Sequence, residues 1–254
     1  MNTTFNNKVA LVIGASRNMG RAFAEMLAQE GARVAVHYHS AGSRTGAEEA
    51  VATIGAAGGQ ALALQADIRR VADIQRLFDA VEEHFGGIDI VINTAGQMLK
   101  KPVIEVGEDE FDDIFALNCK AAFFIMQEAG KRLRDNGRIL NIGTSLLAAT
   151  VAGYAAYAAY AGSKAPLEDF SRALAKEVGA RGITVNTLCP GPMDTEFFHA
   201  AETPEAVAYL KRASINGQLG QVGDLLPVVK MLVSPENNWI TAQAIFANGG
   251  FVAR

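Results

Sequence analysis

K-V-A-L-V-I (Lys8–Ile13) runs straight into G-A-S-R-N-M-G (Gly14–Gly20), and this junction decides how the rest of the chain is read. The first six residues are nearly all apolar, too short for a helix and without polar alternation. They read as a strand buried on both faces. Beyond the loop, Met19, Phe23, Met26 and Leu27 recur at helical spacing until Gly31 closes the helix. A buried strand, a glycine-bearing turn and a helix start place backbone N–H groups and the positive helix end where a pyrophosphate can dock. The spacing is not G-x-G-x-x-G, and no lysine follows Gly20 to make a Walker loop. The expectation is a nucleotide held by Gly14, Ser16, Arg17, Asn18, Met19 and Gly20.

Strands and helices alternate downstream. Strands are expected at Arg33–Tyr38, Gln60–Gln65, Ile88–Ile92, Arg138–Gly143, Ile183–Leu188 and Ala244–Ala247. Helices fall at Glu48–Ile54, Val71–Phe85, Glu108 to about Arg134, through Lys164 to about Ala180, Pro204–Arg212 and Val222–Val233. The pattern predicts an α/β fold: a doubly wound parallel sheet of about seven strands with helices on both faces. With no repeat, low-complexity segment or linker, residues 1–254 read as a single domain. The irregular stretch from Pro190 to Gly220 is a candidate substrate lid.

Composition narrows the function. Half of the 254 residues are hydrophobic, enough for one large core, and the net charge is −4. No basic run points to nucleic acid. No apolar run reaches the ~18 residues of a membrane span, and the N-terminal M-N-T-T-F-N-N-K does not read as a signal peptide. Cys119 and Cys189 lie far apart without metal-ligand spacing, so no metal site is expected. They read as free thiols of a cytoplasmic protein.

The second informative stretch, Asn141 to Lys164, is N-I-G-T-S-L-L-A-A-T-V-A-G-Y-A-A-Y-A-A-Y-A-G-S-K. Tyr160 and Lys164 stand at i and i+4, one turn apart on one helix face. A neighbouring ammonium favours the phenolate and would lower the tyrosine pKa, making it an acid/base near neutral pH. Thr144 and Ser145, at the strand end, can offer a hydroxyl to the same reacting oxygen. The competing reading is a packed aromatic stripe, since Tyr154 and Tyr157 precede Tyr160. Tyr157 is excluded from the pair because its i+4 residue is Ala161.

In register, these pieces resemble the short-chain dehydrogenase/reductase family. The loop Gly14–Gly20 is similar to the family's T-G-x-x-x-G-x-G, with Ile13 and Asn18 replacing the threonine and middle glycine. Asn can visit the backbone angles that glycine would. Asp67 and Ile68 match the adenine-contacting segment. Asn93, Ala95 and Gly96 match the N-N-A-G turn with one change, Asn118 the catalytic asparagine, and Tyr160 with Lys164 the Y-x-x-x-K pair. Pro190, Gly191, Met193 and Thr195 match P-G-x-x-x-T.

The resemblance implies a Rossmann fold and reversible hydride transfer between a nicotinamide and a carbonyl/alcohol carbon. Tyr160 would be the acid/base, Lys164 would depress its pKa and bind the cofactor ribose, and Asn118 would hold a water linking Lys164 to solvent. It also implies pairing into a homotetramer, in keeping with the apolar surplus on the two long helices (Phe111, Phe115, Phe123, Phe170). The catalytic hydroxyl is open: aligning the strand from Arg138 selects Thr144, and counting back from Tyr160 selects Ser145, which is preferred.

The cofactor is expected to be NADP(H). Tyr38 stands where an NAD-binding fold places an acid, and there is no Asp or Glu from Gly31 through Ala47. A 2′-phosphate would find Arg17, His39, Ser40, Ser43 and Arg44. The substrate pocket is expected to be walled by Met98, Leu99, Leu146, Leu147, Tyr154, Phe197 and Phe198, which suits an apolar ketone, aldehyde or 3-oxoacyl group. The alternatives are a non-catalytic NADP(H)-binding sensor or scaffold and a serine hydrolase. The hydrolase needs a G-x-S-x-G that the chain lacks.

Overall fold

The computed structural model describes residues 3–148 and 155–252. Seven parallel strands form one sheet: β1 (Val9–Ile13), β2 (Arg33–Tyr38), β3 (Gln60–Gln65), β4 (Ile88–Asn93), β5 (Leu133–Ile142), β6 (Thr184–Pro190) and β7 (Ala244–Ala247). Their spatial order is β3-β2-β1-β4-β5-β6-β7. The helices between them are α1 (Asn18–Gln29), α2 (Ala41–Ala56), α3 (Val71–Phe85), α4 (Glu108–Phe115), α5 (Ala122–Arg132), α6 (Ala158–Lys164) and α7 (Pro166–Val178). Then come α8 (Glu196–His199), α9 (Pro204–Ala213) and α10 (Val222–Val233).

Although β1 is apolar throughout, its side chains still alternate between two cores. Ala10 and Val12 join Phe23, Leu27, Ile54 and Val229 under α1, α2 and α10. Val9, Leu11 and Ile13 join Phe78, Val81, Ile125 and Val178 under α3, α5 and α7. Both faces are therefore covered, which is why the strand reads as a continuous apolar run.

The chain leaves β1 toward β2 on one side and returns through β4 on the other. Ile13 sits opposite Asn93 in that register. The loops after β1 and β4 diverge from this point and open a crevice at the carboxyl ends of the strands.

Three boundaries depart from the sequence expectation. The helix from Glu108 is broken by a π-helical turn at Ala116–Ala121 and stops at Arg132. L-R-D-N-G (Leu133–Gly137) then joins β5, held there by Arg134, which bonds Asp89 (3.0 Å) and the Gly86 carbonyl (2.7 Å). The helix through Lys164 divides at Ala165, with Pro166 at the first position of α7, where its missing N–H costs nothing. Finally, α2 begins at Ala41, seven residues before the expected Glu48. Gly46 makes this possible: a Cβ there would lie 2.4 Å from the Ser16 carbonyl oxygen, so only glycine lets α2 pack on the loop after β1.

Candidate active site

The loop after β1 is shaped by backbone needs. Gly14 has φ +78° and Asn18 φ +49°, both left-handed, and asparagine tolerates the second. A Cβ on Gly20 would lie 2.3 Å from the Gly14 carbonyl oxygen and 2.6 Å from Thr94 Oγ1. Thr94 donates to the Ile13 carbonyl at 2.7 Å, tying the β4 loop to the β1 loop. The imidazole of His37 lies buried beneath them. Its Nδ1 accepts from Gly14 N–H (3.1 Å), so its Nε2–H donates to the Ala66 carbonyl (3.0 Å). Burial pushes its pKa down to about 4, so it is neutral. The start of α1 carries no side-chain cap and no acid in its first turn, which leaves its N–H groups for an anion. A glycine cradle under an uncapped helix end fits a dinucleotide pyrophosphate.

At the far end of the crevice, buried Tyr38 closes β2. Ser40 precedes α2, and its N–H donates to Ser43 Oγ at 3.1 Å. His39 lies 3.6 Å from Asp67, whose carboxylate also accepts from Arg69 N–H (3.2 Å) and so caps a turn; Ile68 is buried beside it. Arg44 pairs with Glu48 along α2 at 2.8 Å. Arg17 does not join this group: it reaches Glu196 of α8 at 3.7 Å.

At the other end lie the residues expected to react. Asn93 Oδ1 accepts from Ala95 N–H at 3.2 Å and shapes the turn before Gly96. Asn118, in the π-helical turn, accepts from Gln97 N–H and donates to the Gln97 carbonyl and Ser163 Oγ, each at 2.9 Å. Its amide anchors the β4 loop and the residue before Lys164. Lys164 is buried, its ammonium donating to the carbonyls of Ile142 (3.0 Å) and Ala95 (3.2 Å). Tyr160 is 6 % exposed.

Burial dominates the titration of both members of the pair. It pushes Tyr160 up to about 12, opposed by a hydrogen bond from the Thr144 hydroxyl, and pushes Lys164 down to about 8. Depression of Tyr160 by Lys164 is thus not what this chain shows by itself. Thr144 Oγ1 also accepts from Leu146 N–H (3.3 Å), which leaves its proton for the phenol. Thr144 is the hydroxyl that acts on the Tyr160 phenol here, while Ser145, at the start of a short 3₁₀ segment (Ser145–Leu147), lines the same cavity.

One cavity joins these parts. Gly14, Gly20, Gly96, Thr144, Tyr160 and Lys164 line its floor. Pro190, Gly191, Met193 and Thr195 line the opposite side, and Thr195 also caps α8 (Phe198 N–H, 3.3 Å). Ser145, Met98, Leu146, Phe197 and Phe198 face the same space. Leu99 packs behind it with Ile114 and Tyr157, and Leu147 is not among its lining residues. Tyr154 lies outside the described residues. Among those described, no cluster of His, Cys, Asp and Glu could hold a metal, and no helix is long and apolar enough to cross a membrane.

Sequence reasoning missed His37, which reads as one more strand residue, and Glu202 with Lys100. Both of the latter line or approach the pocket and pair with each other at 2.5 Å. The only cue was negative: an acid ahead of the Thr203–Pro204 helix start, too ordinary to single out.

Comparison with known proteins agrees with this geometry. Residues 14–252 match the family model described as Enoyl-(Acyl carrier protein) reductase. A hydroxynaphthalene reductase-like protein of Metarhizium majus is 38 % identical over 96 % of this chain and 95 % of its own length. A structure from Burkholderia cenocepacia, described as a dehydrogenase with bound NADP, superposes with a TM-score of 0.94 at 46 % identity, covering 100 % of this chain and 97 % of that one. An angucycline C-6 ketoreductase with bound NADP gives 0.90 at 35 % identity, covering 98 % and 97 %. Together with the crevice at the β1/β4 switch point and the Tyr160–Lys164 pair beside Thr144, these matches show that the chain belongs to the short-chain dehydrogenase/reductase family.

Proposed function

We propose that the protein is an NADP(H)-dependent carbonyl reductase acting on a ketone, aldehyde or 3-oxoacyl group, with Tyr160 as the general acid/base. The observation that carries this reading is the buried Tyr160 phenol, opening onto the same cavity as Thr144, Lys164 and the glycine cradle. NADP(H) is favoured because no acid follows Tyr38. His39, Ser40, Ser43 and Arg44 surround the start of α2 instead, and similar proteins hold NADP. Gly14, Ser16, Asn18, Met19 and Gly20 would hold the pyrophosphate. Asp67 and Ile68 would flank the adenine, and Asn93, Ala95, Gly96, Lys164 and Thr195 would hold the nicotinamide half. The bound dinucleotide supplies the two reducing electrons.

The chain does the rest. Thr144 has one hydroxyl proton, which turns to the substrate carbonyl oxygen when substrate is bound, so charge developing on that oxygen meets an oriented dipole. Tyr160, kept protonated by burial, delivers its proton to the same oxygen. Lys164, fixed by two carbonyls one turn along α6 from Tyr160, would supply a cation in the same cavity for the phenolate left behind. Asn118 holds the Gln97 loop and Ser163 and is a positioning residue. The segment from Pro190 to Gly220, with α8 and α9, acts as a lid. NADPH oxidation with a panel of ketones tests the reading. Turnover by NADPH well above NADH supports it, and no turnover of any carbonyl would favour the sensor.

The assembly proposed is a homotetramer in the cytoplasm. Phe111 and Phe123 are more than two-fifths exposed on α4 and α5, apolar surface that a partner would cover. A monomeric mass by light scattering would refute this.

A further inference from the structure

The loop from Thr94 to Pro102 leaves β4 without regular structure, and its Ala95 carbonyl accepts from the Lys164 ammonium at 3.2 Å. A Cβ on Gly96 would lie 3.0 Å from Lys164 Nζ and 3.4 Å from Asn118 Oδ1, so a small shift of this loop is felt by the residues expected to react. Its middle is held at Gln97, whose backbone N–H and carbonyl both pair with the Asn118 amide at 2.9 Å. That amide gives its other hydrogen to Ser163 Oγ (2.9 Å), and Ser163 donates to the Tyr160 carbonyl (2.8 Å).

The Gln97 side chain is held in turn. Its Oε1 accepts from Arg69 Nη2 at 3.2 Å. The same guanidinium forks onto Asp113, Nε to Oδ1 at 2.9 Å and Nη2 to Oδ2 at 3.3 Å. Asp113 lies in α4, ahead of the π-helical turn that carries Asn118. Arg69 therefore ties together the two segments that converge on Asn118. It is itself placed by Asp67, which accepts its backbone N–H at 3.2 Å in the turn after β3.

Stability does not explain the arrangement. The Asp113 side chain is 48 % exposed, and ion pairs in contact with water contribute little. A lysine could neutralise Asp113 as well, but the planar fork reaches a carboxylate and an amide oxygen at once. Neither Arg69 nor Gln97 lines the cavity, so their effect on it passes through Asn118 and the Ala95 carbonyl.

We propose that Arg69 is a positioning residue: by bracing Gln97 against α4 it fixes the Asn118 amide and the loop that holds Lys164. This rests on the reading of Tyr160 and Lys164 as the reacting pair.

The test compares the full-length protein with Arg69→Met, with Gln97→Met and with the double variant. Gln97→Met keeps both backbone bonds to Asn118 and loses only the brace. Hydrogen exchange by mass spectrometry follows the peptide containing the Gln97 amide. Single-turnover reduction of a tetralone at saturating NADPH is measured in parallel. Either single variant should exchange this amide about tenfold faster, the low end for losing a hydrogen bond to a charged group. The reduction rate should fall ~10–100-fold, the scale of a small misplacement at a reacting centre, while NADPH and the ketone bind within a fewfold of wild type. The double variant should be no worse than the worse single, because both remove one contact. If Arg69→Met does not fold, Gln97→Met alone decides. Unchanged exchange in Gln97→Met overturns the proposal. So does a double loss equal to the product of the two single losses, or weaker NADPH binding at an unchanged rate. Faster exchange in the variants, with no ketone reduced by wild type, would uphold the brace and refute the reductase. Reduction at the wild-type rate by both single variants would uphold the reductase and refute the positioning role.

Discussion

His37 should make the protein acid-sensitive in a measurable way. Its imidazole is buried and neutral, its Nδ1 accepting from Gly14 N–H and its Nε2–H donating to the Ala66 carbonyl. Protonating Nδ1 would put two donors face to face and a charge in the core. Burial is the main cause that lowers the pKa from 6.5 to about 4. Between those values the unfolded chain holds the proton and the folded chain does not. Stability is therefore lost as pH falls through that window, by at most ~1.4 kcal/mol per pH unit. At about pH 5 the His37 contribution comes to roughly 2 kcal/mol, or about 4–8 °C in Tm for a chain of this size. The assay is urea or thermal unfolding of wild type and His37→Asn between about pH 7 and 5. The asparagine oxygen can still accept from Gly14 N–H but cannot titrate. Wild type should lose about 2 kcal/mol more than the variant over that range. Parallel pH profiles would refute the assignment of a buried, neutral imidazole under the phosphate loop.

Four further outcomes follow from the same geometry. Thr144→Val should lower kcat by ~10²–10³, the effect of losing one oxyanion donor, and Ser145→Ala should cost far less; the reverse order would return the role to Ser145. Gly20→Ala should destabilise the fold by ~1–3 kcal/mol through overpacking, and weaken NADPH binding by isothermal calorimetry. Gly223→Ala in α10, where nothing lies within 4 Å of the added Cβ, should leave NADPH binding unchanged and stabilise the fold by ~0.4–1 kcal/mol. Because burial holds Lys164 down at about 8, NADPH affinity should fall as pH rises through that value and the cation is lost. Lys164→Met should show a flatter profile.

Much of the fold was legible because the signals were local. β2, β3, α3 and α10 match their expected limits to the residue: apolar runs end at glycine or polar clusters, and no distant partner moves them. The start of β5 was illegible because L-R-D-N-G has no strand character of its own. It is extended because Arg134 is pulled to Asp89 and Gly86. The division at Asn118 comes from its bonds to Gln97 and Ser163, each far away in sequence. The site shows the same boundary. The i, i+4 spacing of Tyr160 and Lys164 was readable, but the partners of Lys164 are two backbone carbonyls, which no side-chain pattern reveals. Neither could spacing show that burial would govern the titration of Tyr160. Glu202 and Lys100 are 102 residues apart, and only the fold brings them together.

The central claim is that Tyr160 transfers the proton in a site that binds NADPH independently of it. The direct measurement is Tyr160→Phe, with NADPH binding by calorimetry and single-turnover reduction of a ketone by stopped flow on the same preparation. NADPH should bind within a fewfold of wild type, while the reduction rate falls by ~10²–10⁴, the range for losing a general acid. Near-normal reduction by Tyr160→Phe would contradict the account.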